Sequence, residues 1–242
     1  MDLFKPTISK PESMSEMRMP WMHRPPESKA IQDLKHHLMK TTAPRLLPLA
    51  AFTALYMIAA VAGSMVQGNK EFIFYIMVML VLIGAVTLVH RAVSLTSALL
   101  WALSVWGLLH MAGGLVPLPK GWSYNGDQAV LYSWWIIPQK LKYDQIVHAY
   151  GFGTTTWVCW HSLKSILSRA DGFRLKPTFG LLVLCAAAGA GFGALNEVVE
   201  FIAVLTIPNT NVGGYENTGW DLVANLIGAS TAALMIRTRF KS

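Results

Sequence analysis

Along most of this chain apolar residues run in blocks rather than alternating with polar ones. Crossing a hydrocarbon layer of about 30 Å takes about 20 helical residues of predominantly apolar character. Six segments meet that length: Leu46–Val66, Phe72–Val89, Val93–Ala112, Tyr143–Leu163, Phe179–Leu205 and Trp220–Ile236. The pattern predicts an all-α fold, a polytopic membrane bundle of about six transmembrane helices. The fifth segment is long enough to need tilt or to extend past the bilayer. Residues 1–45 are polar and proline-bearing, and form an arm ahead of a membrane domain spanning 46–242. The arm has no apolar core before a small-residue site, so no cleaved signal peptide is expected.

Polar residues between the blocks set the orientation. With the amino terminus in the cytoplasm, sixteen Lys and Arg fall on the inner side and four (Lys70, Lys120, Lys140, Lys142) on the outer. The positive-inside rule then places both termini in the cytoplasm. The net charge of +7 reflects this topology and contact with anionic lipid, not nucleic-acid binding. The longest outer segment, Gly113–Lys142, carries Trp122, Tyr124, Tyr132, Trp134 and Trp135, and reads as a loop lying on or dipping into the interface. The shorter one, Thr206–Gly219, is rich in turn formers and should fold tightly over the helix ends.

Composition agrees with a membrane protein: 53% of residues are apolar, 14% are charged, and there are nine Trp. Cys159 and Cys185 both sit in apolar runs, so neither a disulfide framework nor a CxxC metal motif is present.

Against that background the polar residues inside the spans stand out. They are His110; Asp144 and His148; Asn196, Glu197 and Glu200; and Asp221 and Asn225. A charged side chain within a bilayer costs roughly 2.5–3.5 kcal/mol on insertion scales, and such residues mark function by default. At 1.5 Å per residue, all of them fall in the outer half of the membrane although the helices alternate in direction. Asp144 and His148, and Asp221 and Asn225, are four residues apart, and Glu197 and Glu200 three, so each pair shares one helix face. Facing helices that each supply inward ligands are how bundle metal sites are built. Imidazole mixed with carboxylate suits Zn, Fe or Mn, with His110, Asp144, His148, Glu197, Glu200 and Asp221 as candidate ligands. Asn196 and Asn225 complete the polar layer.

Duller roles exist for several of these. Thr218 to Asp221 matches a capping box, in which Asp221 would only satisfy a helix start. Asp144 in a first helical turn is favoured by the helix dipole. His110 could hydrogen-bond a backbone carbonyl. Glu197 and Glu200 resist such accounts, because two acids one turn apart repel unless they meet a cation, a proton or donors. Gly189 and Gly193 form a small-xxx-small patch suited to close helix packing. In the arm, Met14, Met17, Met19 and Met22 are thioethers of the kind that favour Cu(I), but the run does not repeat, and docking onto a partner or disorder is the expectation.

Three runs together carry a resemblance. Tyr143-Asp144-xxx-His148-xxx-Phe152, then Asn196-Glu197-xx-Glu200-Phe201, then Gly214-Tyr215-Glu216-Asn217-Thr218-xx-Asp221-xxx-Asn225-xx-Gly228-Ala229 resembles the YjdF-like bacterial inner-membrane proteins. More distantly it is similar to VanZ-like proteins, which share an Asp-x-x-x-His helix and a final Asp-x-x-x-Asn-x-x-Gly helix. The resemblance implies a multi-pass protein of the bacterial inner membrane, without a settled activity.

Two functions follow as expectations. In the first, an outer-leaflet site binds a divalent metal or a polar headgroup and acts on an envelope lipid, with Glu197 or Glu200 as general base beside a metal that activates water. In the second, the protein is a non-catalytic subunit of a membrane complex, its polar residues a structural girdle and its arm a docking element. Ion-coupled transport fits least, since the polar layer stops short of the cytoplasmic side and no inverted repeat is visible.

Overall fold

The computed structural model describes residues 46–171 and 175–241, so the arm and the roles expected of it lie outside the described residues. Six long helices follow one another: α1 Leu46–Gln67, α2 Lys70–Val93, α3 Ser97–Leu115, α4 Tyr143–Asp171, α5 Phe179–Thr206 and α6 Tyr215–Lys241. Five of them are long and apolar enough to cross a membrane. Their outer faces stay apolar and open, as at Leu55, Val66, Leu205 and Leu234, which is the surface a lipid environment requires.

The fourth helix falls short of that apolarity, and its position explains why. It packs against α3, α5 and above all α6, so it meets protein where the others meet lipid. Its polar side chains are therefore free to serve the interior. Thr154, Thr155 and Thr156 each donate to the carbonyl four residues back, at 2.8–2.9 Å, which satisfies their hydroxyls inside the bundle. Val147, His148, Phe152 and Thr156 are buried.

Several boundaries differ from the sequence pattern, the fourth helix running on to Asp171 and the last to Lys241, and two helix starts shift by a turn or more. The third helix begins at Ser97, not Val93. Ser94 adopts the left-handed conformation (φ 54°) that ends α2, and Thr96 caps α3 by accepting the Leu99 amide. The last helix begins at Tyr215, five residues before Trp220. Asp221 consequently lies in the second turn and is no cap, which overturns the capping-box reading.

The segment between α3 and α4 is more ordered than an interfacial loop needs to be. A short 3₁₀ turn, Leu131–Ser133, leads into a hairpin of β1, Trp135–Ile137, antiparallel to β2, Leu141–Lys142, with Trp135 opposite Lys142. Asn211 ties the α5–α6 loop to this cover. Its backbone N–H donates to Glu71 at 2.8 Å, its side-chain amide donates to Ser133 Oγ at 3.2 Å, and its Oδ1 accepts the Gln128 amide at 3.2 Å. At the opposite end His161 contacts the Ser94 carbonyl and Arg237 donates to Pro177. The α1–α2, α3–α4 and α5–α6 connections thus share one end of the bundle, as alternating spans demand.

Candidate functional site

Buried under the hairpin end, α4, α5 and α6 bring their polar residues onto one imidazole. His148, 3% exposed, sits centrally. Its Nδ1 lies 3.1 Å from Asn225 Oδ1 on α6. A carbonyl oxygen only accepts, so this contact needs a proton on Nδ1. The other ring nitrogen faces carboxylates: Nε2 is 3.5 Å from Asp144 Oδ1 and 3.9 Å from Glu200 Oε1. On the other edge, Nδ1 is 3.5 Å from Glu197 Oε1.

These separations are informative. Hydrogen bonds between nitrogen and oxygen run at about 2.7–3.2 Å, so the carboxylates stand too far off for direct bonding to the ring. Two ligands each about 2.0–2.2 Å from a tetrahedral ion lie about 3.3–3.6 Å apart. Two sets of candidate ligand atoms come together, Asp144, His148 and Asp221 in one and His148, Glu197 and Glu200 in the other, each with all its atoms within 4.8 Å of one another.

Hydrogen bonding satisfies only part of the set. Asn196 donates to Glu200 Oε1 at 2.9 Å and Asn217 donates to Asp221 Oδ2 at 2.6 Å, each from one turn earlier on the same helix. Both oxygens of Glu197, Oδ1 of Asp221 and Nδ2 of Asn225 are buried without a hydrogen-bond partner. Buried polar atoms are normally paired, and orphans at this density ask for a missing partner.

Close helix packing makes the convergence possible. A Cβ at Gly193 would lie 2.5 Å from Asn225 Nδ2, and one at Gly189 would run into Thr156 Oγ1. Gly228 brings α6 against the Ala149 carbonyl of α4 in the same manner. The small-residue patch read from the sequence is therefore the seam that lets Asn225 reach His148.

His110 stands apart from both convergent sets. Its Nδ1 meets the Tyr132 hydroxyl at 2.5 Å, and Tyr75, Trp106 and Tyr132 rings surround it within 6.0 Å. Burial first, and the nearby charges of Asp144 and Glu200 after it, push the Tyr132 phenol well above its usual value. The phenol therefore keeps its proton and is available as the donor to His110.

Several participants were not singled out from sequence. Lys142 is buried, and its ammonium donates to Asn217 Oδ1, while its backbone amide donates to Gln145 Oε1 at 3.0 Å. Lys142 had been counted only as a topology charge and Tyr132 only as an interface aromatic. Asn217 carried a usable signal, its spacing of four from Asp221. Beside Asp144, the one carboxylate of the set that lines it, opens a cavity of about 960 Å³ whose lining also includes Lys142, Asn217, Trp135 and Trp220.

The chain belongs to the family described as Predicted membrane protein (DUF2238), whose pattern it matches over residues 48–242. The YjdF-like resemblance is consistent with that membership. No curated protein and no solved structure matches the chain.

Proposed function

We propose that this multi-pass membrane protein holds a divalent cation among His148, Asp144, Asp221, Glu197 and Glu200, in the outer half of a bacterial inner membrane, and presents it to the polar headgroup of an envelope lipid. One observation carries the reading: four carboxylates converge on one imidazole, in two sets whose ligand atoms lie within 4.8 Å of one another. Four like charges in a low-dielectric interior repel strongly unless neutralised. An ion of charge +2 offsets half of that formal charge and would supply a partner that the orphaned oxygens of Glu197 and Asp221 lack. The mixed nitrogen and oxygen donors favour Zn, Fe or Mn.

The roles divide by partner. His148, oriented by Asn225, and Asp144, which lines the cavity, would anchor the ion. Asn196 fixes Glu200, as outer hydrogen bonds commonly fix ligating carboxylates. Glu197 accepts no hydrogen bond at either oxygen and, besides helping to hold the ion, would take a proton from water as general base. A bound cation would supply charge to polarise a phosphate or water oxygen. Metal analysis of protein purified without chelator tests this. Wild type should carry an ion that His148→Ala lacks, while His110→Asn, altering the aromatic wall, should retain it. Equal and negligible metal in wild type and His148→Ala would leave the polar residues as a structural girdle.

A further inference from the structure

Of the two lysines that line the cavity, Lys140 is exposed and Lys142 is buried. Lys142 is 8% exposed. Its ammonium is met by the Asn217 amide oxygen and by the face of Trp135, 6.0 Å away. No carboxylate forms an ion pair with it among the described residues. An ammonium taken out of water is costly unless paired; here the Asn217 amide that meets it donates in turn to Asp221, whose carboxylate attracts the ammonium without a direct ion pair. The ammonium sits on the wall of the same cavity that Asp144 lines. The remaining wall offers hydrogen-bonding amides, Asn125, Gln139 and Asn217, the rings of Trp135 and Trp220, and the exposed charges of Asp127, Lys140 and Glu216. About 960 Å³ is at the upper end of pockets that enclose small molecules.

We propose that the cavity takes a phosphate group, set between the cation at Asp144 and the Lys142 ammonium on the wall, with the neutral amides facing the polar group attached to it. The proposal rests on the cation reading. Phosphate suits the place because its several oxygens can bridge a metal ion and an ammonium at once, and lysine binds it as a point charge. Occupancy must be ordered. Without the cation, Asp144, Glu197, Glu200 and Asp221 repel any anion. With it, that repulsion is halved and the cation and the Lys142 ammonium can both attract the phosphate oxygens, and by linkage the anion tightens the cation by the same factor.

The phosphate could be that of a lipid headgroup or free in solution, and the test separates the two. Purified protein in phosphate-free detergent is titrated with inorganic phosphate or with dihexanoyl phosphatidate, each with and without Mn²⁺, reading tryptophan fluorescence, to which Trp135 and Trp220 in the cavity wall contribute. Thermal melts record cation binding separately. Both ligands should bind only when Mn²⁺ is present. Tighter binding of the phosphatidate assigns the site to a lipid, and equal binding assigns it to free phosphate. Lys142→Met should weaken either anion by about tenfold to a hundredfold, the range of one charge-assisted hydrogen bond, while keeping the Mn²⁺-dependent melt. Lys142→Arg should largely restore the anion. A Mn²⁺-dependent melt with no response to either anion overturns the phosphate site, and so does anion binding indifferent to Mn²⁺ or to Lys142→Met. Absence of any Mn²⁺-dependent shift in wild type instead removes the cation reading, and this one with it.

Discussion

Asp221 shows how far one residue's role depends on where its helix starts. Six positions into α6 and fully buried, it accepts from Asn217 with one oxygen and leaves the other unpartnered. A cap would lose about 1 kcal/mol or less on Asp221→Asn, since asparagine also caps, and nothing else would change. A ligand behaves differently. We expect Asp221→Asn to fold at least as well as wild type without cation, because a negative charge leaves a crowded set. Its affinity for the cation should fall about tenfold or more, the scale seen for groups supporting metal sites. Cation titration of melting temperature checks both. The residue pairs themselves were legible in the sequence, because spacings of three and four place side chains on one helix face. His110 was not separable from His148 on that basis. Depth alone grouped them, and only the packing of Tyr132 against its ring shows that His110 faces an aromatic wall.

Among the elements, α4 is the one whose identity the hydropathy pattern blurs. Its polar residues lower its apolarity below that of its neighbours, yet it is the helix that α3, α5 and α6 enclose. The seam between α5 and α6 can be tested at two glycines on the same helix. A methyl group at Gly193 would strike Asn225, whereas one at Gly191 meets nothing within 4 Å. Gly193→Ala should therefore destabilise the fold by about 1–3 kcal/mol, the range of overpacking, and weaken the cation by displacing the amide that orients His148. Gly191→Ala should be neutral or stabilising by up to about 1 kcal/mol, as helix propensity dictates. Comparable losses in both would mean that the close crossing is not what positions Asn225. The α2–α3 boundary shows the opposite limit of sequence reading: no glycine or proline marks it, and Ser94 supplies the left-handed residue instead.

For the whole molecule, the apolar blocks were enough to place the chain in a membrane and to count its helices, because length and hydropathy act on each helix alone. The hairpin, the Asn211 ties and the buried Lys142 were not legible, since they arise from contacts between segments far apart in sequence. The central claim concerns charge in the middle of the bundle, and it is tested by thermal melts in detergent of wild type, Glu197→Gln and Glu200→Gln, with and without a divalent cation. Glutamine keeps the shape of each side chain and leaves the Asn196 hydrogen bond to residue 200 available. If the acids form a cation site, both variants melt higher than wild type without cation, and the cation-dependent rise seen in wild type is lost or much reduced in each. If they are members of a satisfied structural network, both variants melt lower, since removing one partner of such a network costs several kcal/mol, and wild type shows no cation-dependent rise. That second pattern contradicts the site.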